Sequence, residues 1–299
     1  MILDVSNTLD GRINQQTFII RKMIEMNING DSRPIGILDS GVGGLSIAKA
    51  IAKKLPNENL IYVADTLHSP YGNKSLDFIQ SRANNISQFL FSQSAKALVI
   101  ACNTATVNAI DQLRVNINIP IIGVEPAIKP AAIKSITKNI GILVTKATAE
   151  NYRFQRLIQL HRNDVQVHIQ ACPGLVELIE KNKIQSQECD LLLTQFLTSL
   201  LRKNVDTLVL GCTHYPFLTE KIQNIVGTAV TIVETAIPVT LQLKRILTEN
   251  KLLNLSNEPG NYCFLSSKVN LQQQKLFNDL WQEPIELNSF YNPLEHLLY

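Results

Sequence analysis

The sequence predicts an α/β protein built from two pseudo-symmetric α/β domains, each a mostly parallel sheet flanked by helices, with a working cleft between them. Three observations carry that expectation. From Pro34 onward, short aliphatic and β-branched runs alternate with helical stretches, the pattern that builds parallel sheets. Two segments are near twins: Leu98-Val99-Ile100-Ala101-Cys102-Asn103-Thr104 and Leu208-Val209-Leu210-Gly211-Cys212-Thr213-His214. Ile35-Gly36-Ile37-Leu38 likewise recurs as Ile140-Gly141-Ile142-Leu143, and both pairs lie a little over one hundred residues apart. A domain-sized duplication is the simplest source of such spacing.

The elements follow in order. Ile35–Leu38 is short and aliphatic, reads as the first strand, and leads into the glycine-rich turn Gly41-Val42-Gly43-Gly44. A helix is expected over Leu45–Lys54, a strand over Leu60–Ala64, a helix over Leu76–Phe91 and a strand over Ala97–Ala101. The second round begins with Ile121–Val124 and Ile140–Val144. It continues through a helix over Tyr152–Leu160, a strand over Val165–Gln170 and long helices before Thr207–Leu210. Thr231–Val233 is the last strand expected before the tail. Residues 1–33, rich in Asn, Gln and Ile, lack this logic and read as an appendage. It is a short helix around Gln15–Ile24, an unstructured arm, or a product of start-codon choice, since the only methionines are Met1, Met23 and Met26.

Composition narrows the class. With 299 residues, 45% hydrophobic and 18% charged, the chain is long and apolar enough for two real cores. A net charge of +3 without a dense Lys/Arg run argues against a nucleic-acid partner. No apolar run of membrane-spanning length occurs, and Asp4, Asp10 and Glu25 do not suit a secretion leader. Cys102, Cys172, Cys189, Cys212 and Cys263 are odd in number and widely spaced, which fits a reducing, cytoplasmic setting.

The twin segments place Cys102 and Cys212 at the carboxyl ends of strands. In open α/β sheets that is where ligands bind, because the following loop and helix present unpaired N–H groups. A helix N-terminus there lowers a thiol from its usual value of about 8.5. A free cysteine is more often a small buried hydrophobe, but the repeated context, with Asn103-Thr104 and Thr213-His214 adjoining, argues for chemistry. Matched acid/base groups on opposite faces suit inversion at a carbon bearing one hydrogen, and thiols titrate close enough to neutrality to serve in both protonation states. The developing negative charge then calls for neutral donors in a dry cleft. Asp39-Ser40, Tyr71-Gly72, Asn103-Thr104, Thr145, Thr148 and Thr213-His214 are the candidates at strand ends. The loop Gly41-Val42-Gly43-Gly44 is not a dinucleotide loop, because Ser46 stands where the third glycine belongs and no Walker lysine follows. Its glycines read instead as allowing close approach. Cys212-Thr213-His214 lacks the further ligands of a closed metal site.

These residues resemble the cofactor-independent glutamate racemases of the aspartate/glutamate racemase superfamily. The resemblance runs from Pro34 to Ala236 and is carried by Asp39-Ser40-Gly41-Val42-Gly43-Gly44-Leu45, Pro70-Tyr71-Gly72, Ala101-Cys102-Asn103-Thr104-Ala105, Gly123-Val124-Glu125-Pro126-Ala127 and Gly211-Cys212-Thr213-His214-Tyr215-Pro216. It implies that Cys102 removes the α-proton from D-glutamate and Cys212 from L-glutamate, with no cofactor and no metal. It implies that Asp39 assists Cys102, and that His214 with Glu180 assists Cys212. Substrate contacts carried over in the same way fall on Asp39, Ser40, Tyr71, Gly72, Asn103, Thr104, Thr145, Thr148, Thr213 and His214.

The resemblance also implies a first domain over residues 34–123, completed by 238–299, a second over 124–237, a cytoplasmic homodimer, and use of D-glutamate for peptidoglycan. The extension before Pro34 is similar to that of enzymes activated by a UDP-linked cell-wall precursor, which makes such an activator an expected partner. The chain departs from the family at Val233-Glu234-Thr235-Ala236, where Asp-Ser or Asp-Pro is common. Other readings of the same residues are a racemase for aspartate or a hydantoin, a decarboxylase, which would need only one cysteine, and a non-catalytic amino-acid-binding module.

Overall fold

The structure, a computed structural model, describes residues 30–162 and 164–290, so most of the N-terminal appendage lies outside the described residues. Among these residues the strands are β1 (Ile35–Asp39), β2 (Leu60–Ala64), β3 (Ala97–Ile100), β4 (Ile121–Gly123), β5 (Asn139–Val144), β6 (Gln166–Ala171), β7 (Thr207–Leu210), β8 (Thr231–Val233), β9 (Tyr262–Ser266) and β10 (Leu287–Ser289). They form two sheets, ordered β10-β9-β2-β1-β3-β4 and β6-β5-β7-β8, and every pairing is parallel. Strands β1, β3 and β7 are buried along their whole length, which is why they read as unbroken aliphatic runs rather than alternating ones.

Without its last two strands the first sheet has the order β2-β1-β3-β4, and the second repeats it as β6-β5-β7-β8. Register repeats as well: Ile35 pairs with Ala97 as Ile140 pairs with Thr207. Each central strand, β1 or β5, has its chain successor on one side and β3 or β7 on the other. That is a topological switch point, and it opens a crevice at the carboxyl ends of the strands.

Beyond Val233, where the sequence pattern predicts no further strand, the chain adds one more helical and strand layer to the first sheet. Helix α10 (Ala236–Glu249, so numbered by its place among the helices described) packs on the first helix, α1 (Leu45–Lys54), and on β4. Strands β9 and β10 then extend the first sheet beyond β2, separated by a helix over Leu271–Trp281. These strands escape a pattern search because β9 is half exposed and β10 has only three residues.

The remaining helices cover the sheets. They are α2 (Leu76–Ser92), α3 (Asn103–Asn116), α4 (Ile128–Lys134), α5 (Lys146–Ala149), α6 (Tyr152–His161), α7 (Leu175–Glu180), α8 (Gln187–Leu201) and α9 (Thr219–Val226). Several begin at side-chain caps, Ser75, Asn151 and Ser186 each accepting a backbone N–H two or three residues into the helix. At the amino ends of the first sheet's strands, away from the crevice, a buried Lys96–Glu58 pair ties the start of β3 to Asp31 and to the backbone N–H of Asn254.

Candidate active site

Cys102 follows β3 and caps α3: its sulfur accepts the N–H of Ala105 at 3.4 Å, and its thiol donates to Ser40 Oγ at 3.6 Å. The helix N-terminus is present as the strand-end position predicts, yet it does not lower this thiol. Burial pushes Cys102 up to about 12, and the negative charge of Asp39 adds to the rise, outweighing the N–H and hydroxyl bonds that oppose it. At neutral pH Cys102 is therefore a thiol.

Cys212 stands differently. It follows β7 after Gly211, but a 3-10 turn over Tyr215–Leu218 separates it from α9, so it caps no α-helix. Its neighbour is His214, whose Nδ1 lies 3.8 Å from the sulfur. His214 Nε2 lies 2.7 Å from Glu180 Oε1. Burial works against a charged imidazole here, but the hydrogen bonds and charges of Cys212 and Glu180 prevail and raise His214 well above its ordinary value. These contacts favour the charged form of the imidazole beside the Cys212 sulfur.

Glu180 lies at the end of α7 and is not a solvated helix residue. Its Oε1 accepts from His214, from the N–H of Val42 at 3.0 Å and from Ser69 Oγ at 3.0 Å, while its Oε2 is buried and takes no hydrogen bond. Asp39 closes β1, fully buried. Its carboxylate accepts the N–H of Gly41 at 3.0 Å and the hydroxyl of Thr213 at 3.3 Å. Burial raises Asp39 to about 6, against the opposing charge of His214 and the loop N–H bonds.

The glycine-rich loop makes these contacts possible. A Cβ on Gly41 would lie 1.8 Å from Glu180 Oε1, and one on Gly43 would lie 2.3 Å from His214 Nδ1. The close approach expected of these glycines is therefore made against the second half of the molecule. Ser46 Oγ reinforces it by donating to the carbonyl of Thr213 at 3.1 Å.

One small pocket collects most of the candidates: Ser40, Tyr71, Gly72, Cys102, Asn103, Thr104, Thr145, Cys212, Thr213 and His214 line it, joined by Pro70 and Val176. Asp39, Glu180 and Thr148 are outside the lining and act through it. Thr148 and Thr145 hydrogen-bond each other at 3.0 Å, and both meet Thr104 Oγ1, at 3.2 and 3.0 Å. Asn103 donates to the Val124 carbonyl at 3.3 Å and leaves its buried Oδ1 without a partner. Tyr71 contributes its ring, but its hydroxyl is committed to Asp65 at 2.6 Å. Arg82 and His68 hold the same carboxylate, which lies near 2 despite burial. Sequence reasoning missed Val176 and Ser69. Val176 lies one turn before Glu180 on the same helix and so on the same face. Ser69 directly precedes the Pro70-Tyr71-Gly72 motif.

Two thiols from equivalent strand ends lining one pocket, with neutral donors around them, make a site fit for proton transfer at either face of a small molecule. The family follows from comparison. A model of the Asp/Glu/hydantoin racemase family matches residues 43–238.

The chain belongs to that family.

A glutamate racemase of Pseudomonas putida is 44% identical over 260 residues, which are 87% of this chain and 98% of the relative. A glutamate racemase of Francisella tularensis, solved in complex with D-glutamate, superposes with a TM-score of 0.77 at 32% identity, covering 87% of this chain and 98% of that one. The Escherichia coli glutamate racemase, solved with L-glutamate and the activator UDP-MurNAc-Ala, gives 0.75 at 29%, covering 86% and 97%. The protein is thus an amino-acid racemase, and no helix among the described residues is long and apolar enough to cross a membrane.

Two predictions follow from the buried acids and the loop. The folded-state value of Asp39 lies above that of a free carboxyl, so folding takes up a proton between about pH 4 and 6. That contribution is fully present below about pH 4 and lost as pH rises through 6. Asp39→Asn should therefore resist urea better than wild type at pH 8, by up to about 2 to 3 kcal/mol, and match it near pH 4, while losing activity. Gly41→Ala should leave the fold intact, because Glu180 can swing away, but should lower kcat about a hundredfold by moving Glu180 off His214. Circular dichroism beside the racemase assay separates the two effects.

Proposed function

We propose that this protein is a glutamate racemase, interconverting L- and D-glutamate with the thiols of Cys102 and Cys212 as its two acid/base groups and without a cofactor. The observation that carries this reading is the pair of thiols on one pocket, each with its own titratable companion, Asp39 for Cys102 and His214 with Glu180 for Cys212. The glutamate racemases among the relatives support the choice of substrate.

With L-glutamate, the Cys212 thiolate takes the α-hydrogen as a proton, and the C–H electron pair stays on the α-carbon and its carboxylate. The Cys102 thiol delivers its proton to the opposite face. D-glutamate leaves behind a Cys212 thiol and a Cys102 thiolate, the form that runs the reverse reaction. The raised value of Cys102 suits it to begin as the proton donor, the role it takes with L-glutamate. The α-ammonium of bound substrate adds positive charge beside Asp39 and so eases formation of a thiolate at Cys102. Ser40, Asn103, Thr104 and Thr145 supply uncharged donors for the substrate carboxylates, backed by Thr148, while the Thr213 hydroxyl is held by Asp39. Tyr71 and Gly72 wall the pocket. Donors fixed before the substrate arrives stabilise carbanion charge without reorganising.

We read the two sheets as two domains with boundaries near Val124 and Pro238, and the product as D-glutamate for peptidoglycan. All five cysteines are free thiols, as a reducing cytoplasm keeps them.

Either enantiomer of glutamate, incubated with the purified protein in D₂O without additives, should exchange its α-hydrogen and converge on equal amounts of both forms. Aspartate, run in parallel, should not. Cys102→Ser and Cys212→Ser should each lower racemisation by about a thousandfold or more, because a serine hydroxyl is a far weaker acid than a thiol. One fully active serine variant would reject the two-base assignment. The N-terminal extension and the E. coli relative together motivate a UDP-linked muramyl activator. Racemase activity should rise on titration with UDP-MurNAc-Ala, and a flat titration would remove the activator from the reading.

A further inference from the structure

Ser69 belongs to neither the twin strand ends nor the pocket lining, yet it touches the charged apparatus of Cys212. It ends the short turn Thr66–His68 after β2, in the first half of the chain, with an extended backbone at φ −65° and ψ 140°. Its hydroxyl donates to Glu180 Oε1 at 3.0 Å, across to the second half. The same oxygen accepts the N–H of Val42 at 3.0 Å and faces His214 Nε2 at 2.7 Å, while Glu180 Oε2 is buried and empty-handed. Three donors on one oxygen fix the carboxylate's rotation, since swinging the other oxygen into place would break all three bonds at once. The glycine at position 41 leaves room for this arrangement, because a Cβ there would lie 2.8 Å from Ser69 Oγ and 1.8 Å from Glu180 Oε1.

Val42 donates through its backbone, so of the two donors that the first half sends to Glu180 only Ser69 uses a side chain. We propose that Ser69 is a positioning residue for proton transfer at Cys212, holding Glu180 on His214 only while the two halves of the molecule are together. The inference rests on the racemase reading above and deepens it. The Cys212 base is complete when the loop bearing Ser69 and Val42 meets helix α7, and incomplete when they part. Glu180, supplied by the second half, thus takes its final orientation from the first.

The test is steady-state kinetics with both glutamate enantiomers across a pH series, on the full chain, with Ser69→Ala and Ser69→Thr. The extended backbone at 69 accepts threonine, which keeps the hydroxyl. Ser69→Ala should lower kcat about tenfold, the scale of a hydrogen bond to a charged group discounted for partial exposure, while KM changes little. The basic limb of its kcat profile should move to lower pH, because a loosened Glu180 supports the His214 cation less well. Ser69→Thr should restore both. Full activity in Ser69→Ala overturns the proposal. So does a fall in kcat with an unmoved pH profile, or one that threonine does not relieve, since either would mark a general packing role. A wild-type protein that does not racemise glutamate overturns the racemase reading and this inference with it, whereas an active wild type beside an indifferent Ser69→Ala removes only the role of Ser69.

Discussion

Contact between the glycine-rich loop after β1 and the second half of the chain is the constraint on which the site depends. Neither half holds the candidate site alone. Asp39 belongs to the first sheet but takes a hydroxyl bond from Thr213, beside the other thiol. Glu180 belongs to the second half but takes two of its three donors from the first. Thr104 meets Thr145 and Thr148 across the same divide. Only glycine at positions 41 and 43 leaves space for Glu180 and His214 at these distances. The small pocket lined by both thiols lies along that contact.

Duplication explains the frame but not the chemistry. Both halves repeat one strand order and one register, and both put a cysteine past the third strand of the repeat. After that they diverge. Cys102 caps an α-helix, and burial beside Asp39 keeps it protonated. Cys212 meets a 3-10 turn, and in place of a helix dipole it has an imidazole held cationic by a carboxylate. A helix N-terminus contributes about half a unit charge spread over several N–H groups, and at Cys102 complete burial outweighs it.

Much of this was legible in the sequence because it is local. The strands β1, β3, β5 and β7 are continuous aliphatic runs, and the cysteines, Asn103, Thr104, Thr213 and His214 adjoin them directly, so strand ends and site residues could be read together. Resemblance supplied Glu180, whose place on an amphipathic helix looks solvated in isolation. Strands β9 and β10 were hidden by their half-exposed and very short character. The unlike surroundings of the thiols were also hidden, because Asp39 and His214 act by burial and charge, which depend on what the other half brings near. Tyr71 illustrates the same limit: its motif points to substrate, while its hydroxyl is spent on Asp65.

If Cys102 and Cys212 act as proposed, unlike bases on the two faces create no bias in the outcome of racemisation. The enantiomers of an amino acid have equal free energies in an achiral solvent, so their equilibrium constant is one, and kcat/KM must be equal in the two directions at every pH. A high-lying Cys102 and a cation-supported Cys212 can therefore show themselves only in how each direction divides between kcat and KM, and in which protonated form the enzyme rests between turnovers. Where the resting form suits one enantiomer, the other must either bind a minor form or wait for the protons to redistribute. Asp39, raised to about 6, and His214, raised above its ordinary value, are titratable groups adjoining the thiols.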